Sequence, residues 1–245
     1  MAVTEPPFPL ESDPRVTADL CRQLTRGSGQ VVLVGVVHDH PASCVRVRRV
    51  AQALEPETVC LELPPTTVHR YRETLESTDA ARSTGGEMGV AMQATPEATH
   101  VGIDGLDTRF LRTLASKVTA QRPAVRTLAR TARGVGTMGT QLLGSQLPVW
   151  GNEPDTGMDV EQFESLRGGS PELQAADERR QLERSASFLR AVETPAAISL
   201  REETRETCMA HRLVTCLEDG PVLAVLGMDH LDPVADNVLE LTEAA

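Results

Sequence analysis

Two unbroken apolar runs, Val31–Val37 (VVLVGVV) and Val222–Leu226 (VLAVL), stand out from an otherwise mixed chain. Their β-branched content and the lack of polar alternation predict strands buried on both faces. Thr58–Leu63 (TVCLEL) and Thr99–Asp104 (THVGID) read as two further strands. Between them the apolar residues recur at helical spacing. Val45, Val47, Val50, Ala51 and Leu54 mark a helix over Ala42–Leu54, and further helices are predicted over Thr66–Leu75 and Glu87–Gln93. Asp107 is a helix cap for a segment running to about Thr119, and Pro123 opens another through Arg133. Helices also follow over Pro171–Glu193, from Pro195 to Leu217, and from Asp232-Pro233 to about Leu241. Strands alternating with helices across short turns predict an α/β fold with a mostly parallel central sheet flanked by helices. The expected organisation is an N-terminal arm over 1–28 and a single domain over 29–242. Within that domain, Gly-rich residues 134–170 read as a flexible or lid-like insert.

The 245 residues carry 24 Lys+Arg against 35 Asp+Glu, for a formal net charge of −11. So acidic a chain with only 2% aromatic residues is a poor partner for nucleic acid, which needs cations against phosphate and rings against bases. No apolar run approaches the ~18 residues of a membrane span, and the first residues lack the basic-then-apolar order of a signal peptide, so a cytoplasmic protein is expected. Lys117 is the only lysine. An acidic, Arg-based surface suits a salt-rich cytoplasm, where screening relieves self-repulsion, and predicts a halophilic source. Five cysteines without a CxxC spacing read as small buried hydrophobes. Helix Pro171–Glu193, with Leu173, Leu182, Phe188 and Leu189 among many charges, suits either a homodimer contact or a cover for the sheet.

Polar groups cluster where the strands end: His38 with His40, Glu62, Asp104 with Asp107, and Asp229 with His230. In a parallel sheet these carboxyl ends share one edge, where ligands bind. Glu62 interrupts an apolar strand and needs a partner, a metal or solvent. Two imidazoles with one or two carboxylates form a plausible ligand set for Zn, Mn, Co or Fe, and the chemistry such a set supports is hydrolysis. Gly35 and Gly227 each stand three residues before a histidine, as expected for close backbone approach at the sheet edge. The GxGxxG letters at Gly134–Gly139 follow a helical pattern rather than a strand and read as a chance match. Arg46, Arg48 and Arg49 read as a solvated helix face.

Gly35-Val36-Val37-His38, Leu61-Glu62-Leu63, Gly102-Ile103-Asp104, Glu203-Thr204-Arg205-Glu206-Thr207-Cys208-Met209 and Gly227-Met228-Asp229-His230 follow one another in this order. The series resembles the TraB/PrgY family, related to the TIKI metalloproteases and more distantly to ChaN and erythromycin-esterase-like proteins, over residues 30–242. The resemblance implies an EreA/ChaN-like architecture and metal-dependent cleavage of peptides, or shutdown of a peptide pheromone. It singles out His38, Glu62 and His230 as metal ligands. It adds Glu62, Asp104, Glu203 and Arg205 as catalytic or supporting residues. The chain departs from the family pattern at Thr67 and Gly105, where arginines are usual, and Arg109 or Arg112 is a candidate replacement. The rival expectations are a non-catalytic protein that captures a peptide or small molecule on the same fold, and a tetrapyrrole-binding ChaN-like relative.

Overall fold

A computed structural model describes residues 2–4, 13–26, 29–77, 86–144, 166–191, 195–217 and 220–243. The strands are β1 (Ala2–Thr4), β2 (Cys21–Arg26), β3 (Gly29–Val36), β4 (Thr58–Leu61), β5 (Thr99–Gly102) and β6 (Pro221–Gly227). The helices are α1 (Pro41–Leu54), α2 (Pro65–Ser77), α3 (Gly86–Ala94), α4 (Thr108–Gln121), α5 (Val125–Gly144), α6 (Pro171–Ala191), α7 (Ala196–Cys216) and α8 (Met228–Glu243).

The strands form one mixed sheet in the order β1-β2-β3-β6-β4-β5. β3, β6, β4 and β5 are mutually parallel, while β2 and the three-residue β1 add antiparallel at one edge. Alternate residues of each central strand feed opposite cores, which is why the sequence shows continuous apolar runs. Val32, Val34 and Val36 of β3, with Leu223 and Val225 of β6, face helices α1, α2 and α3. Val31 and Leu33, with Val222, Ala224 and Leu226, face α7 and α8. The α/β fold with helices on both faces of a mostly parallel sheet is as expected.

Three expectations are corrected. Within the segment 1–28, Cys21–Arg26 pairs with β3 along six residues and Ala2–Thr4 pairs with β2, so these residues are strands at the edge of the sheet rather than an arm, and 5–12 and 27–28 lie outside the described residues. The β2 pattern was obscured because Gln23, a polar residue, is buried. Residues Gly134–Gly144 are not a loose insert but the second half of α5, and 145–165 lie outside the described residues. The GxGxxG letters therefore fall inside a helix. Arg46 is fully buried rather than solvated.

Arg46 fixes α6 to the sheet. Its guanidinium donates to both carboxylate oxygens of Glu178 on α6, at 2.5 and 2.9 Å. It also donates to the Gly35 and Arg15 carbonyls, at 3.1 and 2.8 Å. Ser43 Oγ accepts from Val37 N–H at 2.8 Å and donates to Glu178. A fully buried charge pair is tolerated only when hydrogen bonds saturate it in this way. The described part of α6 thus covers α1, although Leu173 is exposed; the side chains of Phe188 and Leu189 lie outside the described residues.

Candidate functional site

The register of the parallel strands lines up the four polar ends. Val36 pairs with Gly227, and Leu61 pairs with both Val225 and Gly102. His38, Glu62, Asp104 and His230 therefore leave the sheet at one edge. The final helix starts directly at Met228, with no loop after β6, so His230 lies in its first turn rather than ahead of it. The two glycines do different jobs. A Cβ on Gly35 would come within 2.5 Å of Met228 Sδ, so that glycine lets α8 pack down on the sheet. A Cβ on Gly227 would lie 3.3 Å from Glu62 Oε2, 3.6 Å from His38 Nε2 and 3.8 Å from His230 Cδ2. The three residues singled out in the sequence thus flank one bare stretch of backbone.

Each imidazole has its own carboxylate behind it. His38 Nδ1 is 2.7 Å from Oε1 of Glu87, a buried residue of α3, and Glu87 Oε2 accepts the Asp39 N–H at 3.0 Å. Asp39 adopts a left-handed conformation (φ 59°) to make that bond. Burial works against the Glu87 carboxylate, but the His38 bond and charge and the Asp39 N–H outweigh it and hold its pKa below the usual value. An ionised Glu87 keeps the proton of His38 on Nδ1 and turns Nε2, the basic nitrogen, toward the Gly227 backbone. The His38 side chain is 57% exposed.

His230 is more enclosed. Its Nδ1 lies 3.0 Å from Glu206 Oε1, and its Nε2 lies 3.5 Å from Glu62 Oε1 and 3.3 Å from Arg205 Nη1. Burial disfavours the charged ring, yet the Glu206 bond and the Glu62 charge win, and its pKa is raised. The two imidazoles thus stand beyond the ends of adjacent strands, each with its own carboxylate at Nδ1, and against burial, Glu206 and Glu62 leave His230 biased to hold its proton.

Arg205 occupies the middle of the carboxylates. It donates to Asp104 Oδ2 at 2.8 Å, to Glu62 Oε1 at 2.9 Å and to Glu202 Oε2 at 2.5 Å. Burial opposes its charge, but Asp104, Glu202 and Glu62 raise its pKa further above its already high value. Arg205, and not Arg109 or Arg112, is the cation facing Asp104; both alternatives are exposed on α4. Thr67 serves locally, its hydroxyl bonding the Pro64 carbonyl at 2.8 Å, and Gly105 lies close against Pro65.

Glu203 is not part of this constellation. It points toward Gln121 and Lys117 of α4. On α7 the face turned to the site is Glu202, Arg205 and Glu206, the i, i+3, i+4 set of one helical stripe. Glu202, Glu206 and Glu87 are the site residues that sequence reasoning missed. The stripe spacing around Arg205 was a usable signal for the first two; Glu87 carried none, since its partner is 49 positions away. His40 is no ligand either: it caps α1, its Nδ1 accepting Ala42 N–H at 3.1 Å, with Nε2 facing Asp177. Asp107 caps α4 through Phe110 N–H and pairs with Arg212. Asp229 is exposed.

The expected metal does not fit this arrangement. Among the described residues, no three His, Cys, Asp or Glu side chains converge to hold an ion. Glu62 gives Oε2 to the Gly227 N–H at 2.6 Å and Oε1 to Arg205, and the guanidinium lies against His230 Nε2.

None of the five cysteines forms a disulfide and four of them are buried, and among the described residues no helix is long and apolar enough to cross a membrane. No family model, curated protein or solved structure matches the chain.

Proposed function

We propose that the chain is a hydrolase, TraB/TIKI-like in layout, that cleaves a peptide or a related carbonyl compound at the carboxyl edge of its sheet. The observation that carries this reading is the pair of imidazoles flanking Gly227 and Glu62, each backed by its own carboxylate. His38 Nε2 takes a proton from the attacking water while Glu87 stabilises the charge that develops on the ring. His230, biased toward its protonated form, gives a proton to the leaving group. Glu62, fixed by the Gly227 N–H and Arg205, orients the water between the two rings. The choice of peptides as substrate rests on the resemblance alone.

The test is turnover in water enriched in oxygen-18, with a mixed peptide pool and a panel of simple esters, read by mass spectrometry. Label should enter a product carboxylate, and His38→Gln or His230→Gln should slow this by at least about a hundredfold, the usual scale for an acid or base. Saturable peptide binding without label incorporation would instead favour the non-catalytic binding protein. A new visible absorption band on adding haem would favour the tetrapyrrole branch.

A further inference from the structure

We infer that the Arg205 guanidinium is the resident cation of this site and stands in for the divalent ion that the donor types suggest. The catalytic meaning of this inference rests on the hydrolase reading, but its test reads ion binding rather than turnover.

The carboxylate oxygens that an ion would need at this edge are already engaged by a positive or donor group. Arg205 Nε lies 3.2 Å from Asp104 Oδ1, and its Nη2 bridges Asp104 Oδ2 and Glu62 Oε1 at 2.8 and 2.9 Å. Its Nη1 donates to Glu202 Oε2 at 2.5 Å and lies 3.3 Å from His230 Nε2. The second oxygen of Glu62 belongs to the Gly227 N–H, and Glu202 Oε1 accepts from Arg201 at 2.9 Å. A zinc-type ion needs donors at about 2.0–2.2 Å, inside the separations the guanidinium now spans. It would also have to enter beside a fixed positive charge in a part-buried pocket, where screening is weak.

A planar guanidinium spreads five donors over three nitrogens in a fixed fork, so it can reach three carboxylates in different directions, whereas an ammonium offers three donors from a single nitrogen. Arg205 gathers Glu62 from β4, Asp104 from the end of β5 and Glu202 from its own helix. It holds the carboxylate cluster together without an ion and keeps Glu62 beside His230. In the proposed reaction it supplies a fixed positive charge next to the scissile carbonyl, a role that a metal would otherwise take.

The experiment titrates the full chain, stripped with chelator and dialysed, with Mn2+, Co2+ and Zn2+ by calorimetry and by metal analysis after gel filtration. Wild type should retain well under about one ion per chain, and chelator should leave any turnover unchanged. Arg205→Met removes the cation and should bind at least one of these ions roughly tenfold or more tighter than wild type, whereas Arg205→Lys should not. Circular dichroism verifies that each variant is folded. About one ion bound per wild-type chain, lost in His38→Gln and kept in Glu203→Gln, would overturn the inference. Binding by folded Arg205→Met no tighter than wild type would overturn it as well.

Discussion

Gly227 donates its backbone N–H to Glu62 Oε2 at 2.6 Å, joining the end of β6 to the first residue beyond β4. This bond and the one from Arg205 hold the carboxylate in place, and the bare Cα of Gly227 leaves room beside it for His38 and His230. A methyl group here fills the space between the three side chains while leaving the sheet pairing intact. Gly227→Ala should therefore melt within a few degrees of wild type yet lose about a hundredfold in turnover, the scale of a small misplacement of reacting groups. Thermal unfolding and steady-state kinetics on the same preparation check this.

The stripe on α7 gives a second prediction. Glu206→Gln weakens the support of His230 and should lower turnover about tenfold to a hundredfold. Glu203→Gln, one position off the stripe and turned to α4, should stay within about twofold of wild type, as exposed substitutions do. Equal losses in the two variants would contradict the geometry.

The buried Arg46–Glu178 pair predicts a non-additive stability pattern. Arg46→Met or Glu178→Leu alone leaves a buried charge without its partner and should cost about 3–5 kcal/mol. The double substitution removes both charges and should recover most of that loss. Urea unfolding of the four proteins measures the cycle.

His40 makes the fold sensitive to acid. Burial lowers its pKa, with help from the Arg46 charge and against the pull of Glu178 and Asp177, and in the fold its Nδ1 accepts the Ala42 N–H. The folded-state value lies below the unfolded value of 6.5. Its contribution is therefore complete above that pH and fades as pH falls through the folded-state value. Unfolding free energies measured between about pH 8 and pH 5 should decline in wild type, and His40→Asn, whose amide caps without titrating, should flatten that part of the curve.

Local information made most of the elements legible. Val31–Val37 and Val222–Leu226 have the unbroken apolar character that burial on both faces demands, and Asp107 caps α4 as its position before the helical pattern indicates. His38, Glu62, Asp104 and His230 were legible because strand ends in a parallel sheet have one address. What stayed hidden depends on contacts between distant positions. Arg46 looks like its solvated neighbours Arg48 and Arg49 until Glu178, 132 residues on, is brought against it. Glu87 lies in an apolar helix, and nothing nearby in sequence points to His38. Glu203 and Glu206 share one motif, and only their angular positions on the helix separate them, Glu203 turning to α4 and Glu206 to His230.

β6 lies at the centre of the sheet, between β3 and β4, yet it comes nearly two hundred residues after β3 in the chain. A nascent polypeptide that has not yet released Pro221–Gly227 from the ribosome lacks the middle plank to which both halves attach. It also lacks His230 and the Gly227 amide. The four strand ends therefore stay apart until that strand is made, and the stroke that closes the sheet also assembles the candidate site.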